Sequence, residues 1–183
     1  MIAPPIPTPT IDALWDALRP RFEAVLAEAK AQGIAAQPAT APCQPVLLNI
    51  ATAARVAGRT ETSLQHAVTF GALPAVDLFG GQRTNRRRRI PVGWLEHPKG
   101  DRLPIIGSAE LDAMMPAPML TVEDAACIID SSPETVRAII RAGLLTTAAT
   151  RPTRISSAAM ASYIAALMNE SAAIWNIEWG HTV

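Results

Sequence analysis

The sequence predicts a mainly α protein built from two tandem copies of one small module, a helix pair followed by a short β-hairpin, set between amphipathic terminal helices. Two segments match without a gap over 26 positions at a constant offset of 72 residues. Both copies carry helix-capping residues at equivalent places. Beside a Gly-Gly turn in the first copy, five arginines fall within the seven residues Arg83 to Arg89, in a chain whose formal charge is zero.

Residues 1–46 form an arm, an amphipathic helix and a linker. The first ten residues are proline-rich and read as extended chain. Thr10 can cap a helix through Ile11, Leu14, Trp15 and Leu18; Pro20 kinks or divides it, and apolar spacing resumes at Phe22, Val25, Leu26 and Ala29 before Gly33. The small, polar, proline-rich run 35–45 reads as a linker.

The first module spans 47–99, and the second spans 119–183 with a C-terminal helix and tail. In the repeat, Leu48-Asn49-Ile50-Ala51-Thr52-Ala53-Ala54 aligns with Leu120-Thr121-Val122-Glu123-Asp124-Ala125-Ala126, and Thr60 to Leu73 aligns with Ser132 to Leu145. Asn49 and Thr121 are N-caps of the first helices, with Asp124 in capping-box position; Thr60 and Ser132 cap the second helices, with Pro133 at the first helical position. Gly71 and Gly143 end them. Two short helices joined by a three- or four-residue turn have helix-turn-helix spacing, and the paired alanines let them cross closely. A β-hairpin is expected after each glycine, 100–118 reads as a linker, and the segment Ser156 to Asn169 reads as a helix with Met160, Tyr163, Ile164 and Leu167 on one stripe. In the tail, Trp175 and Trp179 suit core packing or docking of another subunit.

With these residues in place, the chain resembles the excisionase and MerR-type winged helix-turn-helix family. The resemblance rests on Leu120 to Ala126 with Ser132 to Arg137, and on Gly71 to Val76 leading to Arg89-Ile90-Pro91 and Trp94-Leu95, and covers roughly 100 of 183 residues. It implies tandem winged helix-turn-helix modules with short β-hairpin wings. In each, the second helix would enter the major groove of DNA and the wing would contact the backbone or minor groove.

Charge supports a polyanion partner for the first module. Residues 47–99 carry eight basic and three acidic groups, a net of +5, whereas 119–168 balance at four and four. On the recognition helix 61–70, Leu64, Ala67, Val68 and Gly71 should pack inward, leaving Thr62, Gln65, His66 and Thr69 outward. Glutamine pairs bidentately with adenine, and threonine meets a polar edge or a thymine methyl. Arg55 and Arg59, flanking the turn, are candidate phosphate ligands, and Arg83, Arg86, Arg87, Arg88 and Arg89 arm the wing over 80–90. If Ile90 points to the core, strand alternation puts Arg87 and Arg89 opposite Arg86 and Arg88. The second module keeps Arg137, Arg141, Arg151 and Arg154 as a DNA or partner surface. Its helix also presents Glu134, and its wing is shorter by about seven residues.

No chemistry of catalysis is spelled out. His66, His97 and His181 are scattered and there is no phosphate-binding loop motif, so no catalytic residue, cofactor or metal is expected. Two cysteines without metal-ligand spacing and no export or membrane-spanning segment suit the cytoplasm. The expected function is a sequence-specific regulator of double-stranded DNA, of repressor or excisionase type in a phage or mobile element, dimeric through its terminal helices. The alternative is a phage DNA-packaging small subunit or protein-interaction module.

Overall fold

The computed structural model describes residues 19–21, 23–24, 43–80, 87–97 and 99–181. The chain divides into two units, Met1–Pro38 and Ala39–Val183. Within the first, residues 19–21 and 23–24 are helical and exposed. The rest of the expected N-terminal helix, including Trp15, and most of the 35–45 linker lie outside the described residues.

The second unit contains the repeat. Its first half runs β1 (Leu47–Leu48), α1 (Ile50–Ala57), α2 (Glu61–Thr69), β2 (Val76–Asp77), β3 (Arg88–Pro91) and a single 3-10 turn at Val92–Trp94. A short helix α3 (Ser108–Ala113) follows. The second half then runs β4 (Met119–Leu120), α4 (Val122–Ile128), α5 (Pro133–Arg141), β5 (Ala149–Thr150), β6 (Thr153–Ser156) and α6 (Ser157–Glu178). Each half holds a three-stranded antiparallel sheet, ordered β1-β3-β2 and β4-β6-β5.

This corrects the expected class. A mainly α fold of tandem winged helix-turn-helix modules is replaced by a mixed α and β architecture, because a third strand completes each sheet. That strand is two residues long, ahead of the helix N-cap: Leu48 pairs with Ile90, and Leu120 with Ile155. Two residues cannot display an alternating pattern, so the hairpin alone was visible in the sequence.

Local chemistry explains the helices. Asn49, Thr60, Ser132 and Ser156 each accept a hydrogen bond from a backbone N–H of the helix they start, and Thr121 forms a reciprocal capping box with Asp124. Ala53, Ala54, Ala125 and Ala126 are buried, so the helix pairs pack through side chains small enough to permit close approach. The halves are not separate bodies. One apolar cluster joins Leu47, Val76, Leu78 and Trp94 of the first to Ile129, Ile139, Ile155 and Tyr163 of the second.

The longest helix is also longer than expected, running to Glu178 instead of Asn169, and the Trp-containing tail is part of it. Asn169 and Asn176 explain the extension. The Asn169 amide accepts from Ile106 N–H at 2.8 Å and donates to Ile106 C=O at 2.9 Å; Asn176 does the same for Leu103 at 2.8 and 3.0 Å. Seven helical residues rise about 10 Å, and three extended residues span about the same. The run 100–106 is therefore strapped along α6 instead of serving as a free linker. Trp175 Nε1 adds a bond to Asp101 C=O at 2.8 Å. The stripe Met160, Tyr163, Ile164 and Leu167 is buried inside this unit, so it is not an open face for a second copy. Among the described residues no helix is long and apolar enough to cross a membrane.

Candidate nucleic-acid interface

The exposed face of α2 follows from its burial pattern. Leu64 is fully buried and Val68 nearly so, and this turns Thr62, His66 and Thr69 to solvent with Gln65 half-buried. Arg55 in the last turn of α1 and Arg59 in the connection are both exposed, with no ion pair among the described residues. Gly58 makes that connection possible: it sits at φ 64°, where its N–H closes α1 by bonding back to Arg55 C=O. Arg55 and Arg59 thus stand beside the turn that leads into α2, whose outer side carries Thr62, His66 and Thr69.

The arginine run divides into different environments. Arg83 and Arg86 lie outside the described residues. The Arg87 guanidinium stacks on the Phe79 ring at 4.4 Å, and Arg88, half-buried, stands in register with Asp77 across the hairpin. Arg89 is not a surface residue. It is 6% exposed, with Nε donating to Ile129 C=O at 2.9 Å and Asp130 C=O at 3.1 Å, Nη1 to Arg88 C=O at 2.9 Å, and Nη2 to Ser131 Oγ at 3.1 Å. Ile90, as expected, points to the core, but the opposite face of β3 is covered too, by the C-terminal end of α4. The helix carbonyls and Asp130 compensate the buried cation there. Burial lowers the Arg89 pKa, while Asp130 acts against that shift. Arg89 is accordingly withdrawn from the set of nucleic-acid contacts.

Asp130 was missed by the sequence reading, although it left a signal. It occupies the repeat position of Gly58 and shares its left-handed backbone, at φ 44°. An aspartate tolerates that strain where its carboxylate is used. Here Oδ2 accepts from Asn49 N–H at 2.9 Å, supplying the first half's leading helix with the capping carboxylate that α4 draws from its own Asp124.

The second half treats its charges differently. On α5, Arg141 bonds Glu134 at 2.7 Å, and Arg137 lies 3.7 Å from Glu134 and 3.6 Å from Glu123. The hydrogen bond from Arg141 holds the Glu134 carboxyl below the usual range. Arg151 is exposed at the hairpin turn, and Arg154, in β6, is half-buried. The structure does not bring these four arginines into one open cluster.

Phe70, just past α2, is 78% exposed and meets His66 edge-on at a centroid distance of 5.8 Å. It stands on the rim of a groove of about 610 Å³ shared with Arg88 and α6, where Glu170, Ile174 and Glu178 form the other wall. Glu170 and Glu178 give that wall of the groove negative charge, opposite Arg88. Among the described residues no group of three or more His, Cys, Asp or Glu side chains could hold a metal ion. Comparison with protein-family models, curated proteins and solved structures returned no match.

Proposed function

We propose that the chain is a regulator that binds double-stranded DNA through its first half, of the repressor or excisionase type, without catalytic activity. One observation carries the reading: the polar outer face of α2 is flanked by two exposed arginines that form no ion pair among the described residues, while the corresponding helix of the second half has its arginines paired with glutamates. Thr62, Gln65, His66 and Thr69 offer donors, acceptors and a methyl group for base edges, and Arg55, Arg59 and Arg88 offer phosphate contacts. Arg83 and Arg86 extend this set by sequence alone. Pairing of two copies belongs to the same reading and would draw on Ile174 and Ile177, the large apolar residues that α6 leaves exposed.

The test is binding of the full chain to duplexes from its own genomic neighbourhood against random duplex at two salt concentrations. Discrimination of about 10³-fold or more supports a regulator. Salt-sensitive binding to all duplexes favours a packaging or assembly role, which the exposed apolar rim of the groove also suits. Absence of binding overturns the nucleic-acid reading.

A further inference from the structure

The two cysteines, 84 positions apart in sequence, meet in the fold. Cys127 lies in the last turn of α4. Cys43 lies in the run entering β1, which is tied to the same helix by Val46 N–H donating to Ile128 C=O at 2.8 Å. The Cys127 thiol donates to Cys43 C=O at 3.2 Å, and the Cys43 thiol to Asp124 C=O, about one turn before Cys127, at 3.7 Å. Each thiol is the largest influence on the ionisation of the other.

Both sulfurs belong to half-buried residues and neither is in a disulfide. Their environments split the pair. The neighbouring Cys43 thiol pulls the Cys127 thiol below its ordinary range, against burial and the charges of Asp130 and Asp124. The Cys127 thiol and burial hold the Cys43 thiol up, so it stays protonated beside a sulfur that ionises more readily.

We propose that Cys127 and Cys43 form a dithiol modification site for hydroperoxides, with Cys127 as the attacking sulfur and Cys43 as the resolving one. The Cys127 sulfur attacks a peroxide oxygen; the S–O bond forms, the O–O bond breaks, and one water (or alcohol) leaves after proton transfer. The Cys43 sulfur then attacks the sulfenic sulfur; the S–S bond forms, the S–O bond breaks, and a second water carries off the remaining thiol proton. The chain loses two electrons and two protons, and the peroxide is reduced. The resulting crosslink pins the segment entering β1 to α4, the helix whose C-terminal end holds Arg89. This inference is independent of the nucleic-acid reading.

The full chain is treated with hydrogen peroxide, and free thiols are counted alongside intact mass and non-reducing electrophoresis. Both thiols should disappear together, with the mass falling by two hydrogens, the chain remaining monomolecular and Tm rising until dithiothreitol reverses it. In Cys43→Ser, dimedone should trap a sulfenic acid at Cys127; in Cys127→Ser, Cys43 should persist as a thiol. Retention of both thiols, a disulfide between chains, or oxidation of Cys43 at an undiminished rate in Cys127→Ser would overturn the proposal.

Discussion

At equivalent positions on the second helix of each half, Thr62, Gln65, His66 and Thr69 correspond to Glu134, Arg137, Ala138 and Arg141. The backbone plan around them is shared: a two-residue strand, a capped helix with paired buried alanines, a second capped helix, a glycine at positive φ and a hairpin. What differs is whether charge is left open or consumed. The first half exposes Arg55 and Arg59 and buries Arg89; the second half pairs Arg137 and Arg141 with carboxylates and leaves Arg154 half-buried without a side-chain partner among the described residues. The contrast separates two jobs of arginine that a charge count merges, since in the first half Arg89 holds the halves together while Arg55 and Arg59 face solvent.

Strand register makes Arg89 and Arg154 counterparts, each preceding the core isoleucine of its strand. Their truncation provides the sharpest test. Arg89→Ala should lower unfolding free energy by roughly 2–4 kcal/mol, because Ile129 C=O, Asp130 C=O and Ser131 Oγ lose their donor and Asp130 loses its compensating charge. Arg154→Ala should cost under about 1 kcal/mol. Equal losses in chemical denaturation would break the comparison. A consequence for nucleic-acid work is that wing variants should spare Arg89, or instability will imitate lost binding.

The second asymmetry is α6, which follows the hairpin in one half where the other has only the turn Val92–Trp94. Asn176→Ala should cost roughly 2–3 kcal/mol, since the Leu103 N–H and C=O lose both partners beside a side chain that is 2% exposed. Hydrogen exchange should then report opening of the strap 100–106 before the sheets. Protection that is unchanged there would assign the strap to Trp175 and apolar packing instead.

Surface charge comes next in size. Combined Arg55→Ala and Arg59→Ala should flatten the salt dependence of duplex binding by about two units, whereas Arg137→Ala with Arg141→Ala should leave it unchanged. Gln65→Ala with Thr69→Ala should reduce site preference and spare affinity for random duplex. Identical slopes for the two double-arginine variants would remove the distinction between the halves.

The offset of 72 residues made the repeat legible, and hydroxyl or amide side chains before apolar runs placed the N-caps Asn49, Thr60, Thr121 and Ser132. Gly71 and Gly143 located the ends of the second helices. The third strands stayed hidden because two residues carry no period, and the strap stayed hidden because its partners are side-chain amides 63 and 73 positions away. Arg89 was misread for a related reason: a buried arginine and a phosphate-binding arginine look alike in sequence, and only Ile129, Asp130 and Ser131 tell them apart. Among the candidate site residues, spacing turned Thr62, His66 and Thr69 outward as the structure does, with Gln65 half-buried, yet it did not reveal that Glu134 reaches both arginines of α5. The aspartate in a glycine position was the one local irregularity that pointed to the junction.

The smallest expected effect tests whether pairing alone silences α5. Arg141, through its hydrogen bond, is the main cause that holds Glu134 ionised below the usual carboxyl range; the pairing therefore contributes stability above that range and loses it as pH falls through the depressed value. Exposure and salt screening keep the contribution small. Glu134→Gln removes the charge at every pH, freeing Arg141, while Arg137 retains Glu123 at 3.6 Å. Its duplex affinity at low salt should rise a few-fold over the unmodified chain at neutral pH, with the salt slope steeper by roughly one unit at most. A variant indistinguishable from the unmodified chain would mean that the second half lacks a duplex-binding surface for reasons of shape, and that its glutamates merely neutralise arginines with no access to phosphate.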